Sequence, residues 1–177
     1  MPRVTSVKKA QKSPGKCGKC GDAIGEGQPY VWWAFRYGGK RIRCAKPECA
    51  PKGSDLTQSE FYSTLYSIQE DAKLDGSTVE ELEGQRDDVV SQLNDLAEET
   101  RGKFENMPDG LQQGDTGQLL EERADACESA AQELESVDCD EIDREEGESD
   151  DDFEQRKQEH LEEVQTELTD ALENISI

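Results

Sequence analysis

Long apolar runs are missing from this chain. No stretch approaches the ~20 apolar residues of a membrane-spanning helix. The opening segment MPRVTSVKKAQKSPGK is basic with no apolar run behind it, so it does not read as a secretory signal. No membrane partner is expected. Hydrophobic residues are also scarce, 32% of 177 against 35% charged, which argues against one thick core. Histidine is nearly absent: His160 stands alone among acidic helical residues, so no Ser/His or Cys/His catalytic arrangement can be assembled. Gly38-Gly39-Lys40 lacks both the leading glycine spacing and the following Ser/Thr of a phosphate loop. The chain does not read as an enzyme.

Positive charge is lacking over most of the length, and where it does occur it is concentrated. Residues 1–52 carry 12 Lys and Arg against Asp22, Glu26 and Glu48, a balance of +9. The remainder has 8 basic and 39 acidic residues, a balance of −31, which together give the net −22. Such a split suits a nucleic-acid-facing part joined to an acidic part. It equally suits a solvated acidic helix surface that follows a basic module.

Only six cysteines are present, but four fall in the basic segment as Cys17-x2-Cys20 and Cys44-x4-Cys49. A short-spaced pair curls around one face of a metal ion, and a second pair closes the other. In a reducing compartment such a pattern reads as a metal site before a disulfide framework. One structural Zn2+ is the expected cofactor, with reduced free thiols or an iron–sulfur cluster as the alternatives. Four thiolates leave no open coordination position for catalysis. Lys16, Lys19, Arg43 and Lys46 flank the ligands and would offset the charge of a four-thiolate centre.

Between the pairs, YVWWAFRY is rich in strand formers, and Gly38-Gly39 reads as a two-residue hairpin turn. That turn would set Phe35 opposite Ile42 and Trp33 opposite Cys44. Alternation then places Val31, Trp33, Phe35, Ile42 and Cys44 inside. The outer face would carry Tyr30, Trp32, Arg36, Arg41 and Arg43. Aromatics interleaved with arginines can stack on bases and pair with phosphates. The same aromatics could instead pack beneath a following helix. A flexible basic arm, residues 1–16 with Lys8, Lys9 and Lys12, would assist the cationic face.

The run C-x-x-C-G-x-x-I-x-x-G-x-x-Y-x-W resembles the opening of the zinc fingers of poly(ADP-ribose) polymerases and DNA ligases. It is carried here by Cys17, Cys20, Gly21, Ile24, Gly27, Tyr30 and Trp32. More loosely it resembles a treble clef, a knuckle followed by a hairpin and a helix. The resemblance implies DNA binding. That family closes its site with a His-x-x-Cys pair, whereas this chain has Cys44-x4-Cys49. The overall layout is similar to small tailed-bacteriophage proteins. The expected location is the cytoplasm, that of the host if the chain is viral.

Beyond the cysteines the expected fold is α+β overall: a zinc module with a covering helix over 17–76, then an acidic helical bundle or coiled coil over 77–177. Thr57 and Glu60 form a capping box ahead of a helix from 57 to about 74 with Phe61, Leu65, Ile68 and Ala72 on one face. Ser77 and Glu80 form a second box, opening a helix over about 78–106. Leu82, Val89 and Leu96 fall seven apart on it, and the adjoining seam of Val79, Leu93 and Met107 is interrupted at Arg86 and Thr100. Helices over about 116–137 and 153–175 follow, separated by a mobile acidic linker, 138–152. Cys127 falls on an apolar stripe and reads as core; Cys139 lies just past a helix end. Helices of unequal length would leave apolar surface for self-association or a protein partner. Two functions are therefore expected: a zinc-stabilised DNA- or RNA-binding protein, or a non-enzymatic structural or adaptor protein whose zinc module binds protein.

Overall fold

A three-stranded sheet and a small hairpin occupy the first 44 residues, and helices take over from residue 60 in this computed structural model, which describes residues 1–175. Ser176 and Ile177, the end of the expected acidic region, lie outside the described residues. The α+β class expected from the sequence holds. The chain divides into two compact units, 1–67 and 68–177, with the division inside the helix that begins at Glu60.

In the first unit, β1 (Thr5–Val7), β4 (Tyr30–Ala34) and β5 (Lys40–Cys44) form an antiparallel sheet in the order β1-β4-β5. A second pairing joins β2 (Gly15–Lys16) to β3 (Ala23–Ile24). Residues 1–16 are thus not a flexible arm. Thr5 pairs with Trp32 and Val7 with Tyr30, and Ala10 is buried. The lysines expected on that arm, Lys8, Lys9 and Lys12, follow β1 and are exposed.

The β4–β5 register also differs from expectation. Trp32 pairs with Ile42 and Tyr30 with Cys44, so the loop spans residues 35–39 rather than two glycines. Neither Gly38 nor Gly39 takes a positive φ. The chain turns earlier, closed by the Gly38 N–H donating to the Phe35 carbonyl at 3.3 Å. The shift is three residues, an odd number, so it moves β4 and β5 side chains onto opposite pairings of faces. Tyr30, Trp32, Ile42 and Cys44 share one face; Val31, Trp33, Arg41 and Arg43 share the other. The sheet has no single inside face. Trp33 is fully buried on one side, while Tyr30, Ile42 and Cys44 pack with the buried Cys17, Ile24 and Cys49 on the other.

Helix α1 (Glu60–Asp71) begins three residues later than expected. Ser59 is the cap: its Oγ accepts from the Tyr62 N–H at 3.5 Å, while Thr57 Oγ1 accepts from the Ser59 N–H. In the second unit, α2 (Val79–Glu105) starts at Thr78, one residue past the expected Ser77. Thr78 Oγ1 accepts from Glu81 N–H, and Glu81 reaches back to the N–H and hydroxyl of Ser77, a capping box displaced by one. These hydrogen bonds from Ser77 hold the Glu81 carboxyl below its ordinary range.

A short α3 (Asp109–Gln112) turns the chain into α4 (Asp115–Glu135), and α5 (Asp150–Glu173) follows. Gly117 lies so close to the Gln112 backbone that a Cβ there would sit 2.1 Å from its carbonyl oxygen, a clash only glycine avoids. Arg101 of α2 pairs with Asp125 and Glu128 of α4, while Arg86 bonds to Val137 just beyond α4. The two helices therefore run antiparallel. Leu82, Val89, Leu93, Leu96, Cys127, Leu134, Val164 and Leu168 are buried. These stripes are covered within one chain. Residues 138–149 are irregular but tied down. Arg156 pairs with Glu148 and donates to the Asp143 carbonyl, and His160 Nε2 lies 2.9 Å from the Asp140 carbonyl.

Candidate metal centre

The Cys17–Cys20 knuckle sits between β2 and β3. Its shape comes from backbone bonds: Cys17 N–H to the Asp22 carbonyl at 2.8 Å and Gly21 N–H to the Cys17 carbonyl at 3.0 Å. Gly21 has φ +77°, a conformation that favours glycine and lets the chain turn directly after Cys20. Gly18 N–H donates to the Ile42 carbonyl at 2.8 Å, which fastens the knuckle to β5. Cys44 ends β5, and Cys49 closes a 3-10 turn over Pro47–Cys49.

All four expected ligands are thereby brought together, with their sulfurs within 4.8 Å of one another. Cys20 and Cys44 sulfurs are 3.8 Å apart. That matches the edge of a tetrahedron with metal–sulfur bonds of ~2.3 Å and is far beyond a disulfide bond; all four thiols are free. The cluster fits one metal ion and is consistent with a zinc module.

The thiols are not equivalent. Burial pushes the Cys17 thiol up, but the backbone N–H groups of Cys44, Cys20 and Lys19 outweigh it and bring its pKa down to about 6. Burial and the neighbouring thiols push Cys49 up to about 12. Cys20 also rises: the Asp22 N–H pulls it down, but burial and the Cys17 and Cys44 thiols prevail. The surrounding cations are only partly available to the centre. Lys46 bonds to Asp22 at 2.7 Å, which lifts its own pKa to about 12. Arg43 pairs with Asp55 and lies 5.9 Å from the Trp33 ring.

The expected aromatic–arginine face is divided by the observed register. Tyr30 and Trp32 lie on the cysteine side, where Lys40 stands 4.3 Å from the Trp32 ring and 5.8 Å from that of Tyr30. Arg41 and Arg43 belong to the opposite side, and Arg36 lies in the loop over Tyr37. Lys40 does not stand out in the sequence, because a two-residue turn would put it beside Tyr37 instead. Cys127 is fully buried in the bundle and Cys139 half-buried; neither belongs to the cluster.

Compared with protein-family models, curated proteins and solved structures, the chain has no match. No helix is long and apolar enough to cross a membrane among the described residues.

Proposed function

We infer that the chain is a zinc-stabilised nucleic-acid-binding protein without catalytic activity, in which the acidic helices dock a partner or compete for the basic surface. The supporting observation is a group of exposed cations without carboxylate partners in the first unit, set against the arginines of the acidic unit. In the acidic unit, Arg86, Arg101, Arg144 and Arg156 all engage carboxylates. In the first unit, Lys8, Lys9, Lys12, Arg36, Lys40 and Arg41 are exposed and have no carboxylate partner among the described residues. Cations left unpaired in a chain with 42 acidic residues are available to phosphates. The resemblance to the DNA-binding zinc fingers agrees with this reading through Cys17, Cys20, Tyr30 and Trp32.

A second reading, an adaptor or bacteriophage structural component, rests on a different surface. Phe35, Leu56, Tyr62 and Tyr66 line an open groove with Met1 and Pro2, and Tyr62 and Tyr66 stack with ring centres 6.0 Å apart. Aromatic grooves of this kind take protein segments. Fluorescence anisotropy with single-stranded DNA, duplex DNA and RNA at two salt concentrations decides between them. Binding that falls steeply with salt supports the first reading; no binding at low salt leaves the second.

A further inference from the structure

Between the knuckle and the outer edge of β5 runs a groove of about 400 Å³ lined by Lys16, Gly18, Lys40, Arg41, Ile42 and Arg43. No acidic residue lines it, although acidic residues outnumber basic ones 42 to 20 in the chain. Arg43 is already paired with Asp55. Lys16, Lys40 and Arg41 have no carboxylate partner among the described residues. Lys40 joins this groove to the half-buried aromatics of the cysteine side, since its ammonium rests over Trp32. Trp32 itself is partly exposed, whereas Trp33 is fully buried.

We propose that this groove seats a backbone phosphate of a single-stranded nucleic acid, and that Lys40 leaves the Trp32 ring for that phosphate, opening the ring to a base. The inference rests on the nucleic-acid reading above and names the form of the ligand. A cation over an exposed ring is held weakly. A charge-assisted bond to phosphate, shared with Lys16 and Arg41, is stronger, so the exchange runs toward the ligand. A duplex offers the same phosphates, but its bases are stacked inside and cannot reach the ring. Phosphate capture and base stacking thus become one event, which favours single strands. An acidic peptide would meet the same cations and leave the uncovered ring without a flat partner.

The test uses the full-length, metal-loaded protein at low salt. The probes are labelled oligothymidylate, a duplex of equal length, polyglutamate and inorganic tripolyphosphate, read by anisotropy and tryptophan fluorescence. Oligothymidylate should bind about tenfold more tightly than duplex and change the emission of Trp32. Lys16→Ala with Arg41→Ala should keep the metal and lower the salt slope by about 0.7, one single-strand phosphate; Lys16→Glu should weaken binding further. Lys40→Ala should shift the ligand-free emission of Trp32, because the ring is already uncovered, and should keep the emission change on oligothymidylate, because the base still stacks on the ring. If oligothymidylate binds but the Lys16/Arg41 variant matches wild type in affinity and slope, the groove is not the seat, and nucleic acid binds elsewhere. Equal affinity for duplex, or an unchanged emission, also overturns the proposal. If only polyglutamate or tripolyphosphate binds, both the proposal and the nucleic-acid reading fall.

Discussion

Trp32 and Ile42 face each other across the β4–β5 ladder. Because side chains alternate, this pairing turns Tyr30, Ile42 and Cys44 together toward the side where Cys17, Ile24 and Cys49 are buried. The metal ligands, the half-buried aromatics and Lys40 share a face as a result. Cross-strand NOEs in the metal-loaded protein should link Trp32 to Ile42 and Trp33 to Arg41. NOEs between Trp33 and Cys44 would mean the tight-turn register instead. Trp33→Ala should cost about 3–5 kcal/mol in denaturant unfolding of the first unit, as expected for a fully buried large aromatic. Trp32→Ala should cost distinctly less.

Metal uptake should weaken as pH falls, with a sign set by the thiols. Cys49, at about 12, and Cys20, raised above its ordinary value, carry protons at neutral pH in the metal-free cluster. A metal must expel those protons, so affinity rises with pH across the neutral range. Cys17 is a thiolate above about 6 and adds a further proton competitor only below that value. Chelator competition at several pH values checks the slope; a flat profile would contradict it. Metal analysis should find one equivalent per chain. Cys44→Ser should abolish it and unfold the strands, while far-UV dichroism from α2, α4 and α5 persists, since no side chain buried there is a ligand.

Arg86 reads in the sequence as a flaw in the α2 seam, and its role is visible only once α4 is in place. Its side chain is 12% exposed, and Nη1 donates to the Val137 carbonyl at 3.1 Å and to Cys139 Sγ at 3.5 Å. It therefore satisfies a carbonyl left over beyond the end of α4. Arg86→Ala should destabilise the bundle by about 1.5–3 kcal/mol, the range for a hydrogen bond involving a charged group. Cys139 should react faster with a thiol reagent in that variant, while Cys127, fully buried, stays protected until global unfolding.

What could be read in advance followed from local spacing. Four cysteines in two short pairs define a cluster wherever the chain between them goes, and Leu82, Val89 and Leu96 sit on one helical face in any bundle. What could not be read depended on distant partners. Thr5–Val7 is too short to declare a strand among lysines, and forms one because β4 offers an edge. The caps moved by one and two residues, to Thr78 and Ser59, whose hydroxyl oxygens accept from the Glu81 and Tyr62 N–H groups. Gly38-Gly39 looked like the turn, but neither glycine adopts the backbone that a two-residue turn requires.

The apolar stripes of α2, α4 and α5 are buried within one chain, and the large hydrophobics left exposed among the described residues are Met1, Tyr37, Leu111 and Leu119. These are too scattered to form a second helical seam. The full chain should therefore sediment as a monomer at low salt, where repulsion between acidic units is least screened. A dimer whose population grows on dilution of salt would contradict this. Raised salt should increase the thermal stability of the acidic unit, since screening relieves its self-repulsion.

Arg36, Arg41 and Arg43 should contribute unequally to nucleic-acid binding, and the difference follows from their partners. Arg43 is half-buried, ion-paired with Asp55 and lies near the fully buried Trp33. Presenting it to a phosphate would leave Asp55 without its counter-ion, so Arg43→Ala should lower stability more than affinity. Arg36 and Arg41 lie over Tyr37 and Phe35 without a carboxylate partner among the described residues, and each is exposed. Their replacement by Ala should leave unfolding almost unchanged while binding weakens for every sequence tested. For every phosphate that a variant no longer neutralises, the slope of log affinity against log salt should fall by about 0.7 on single strands. If Arg43→Ala instead removes binding at full stability, the Asp55 pair must open on binding, and Arg43 joins Arg41 in holding phosphate.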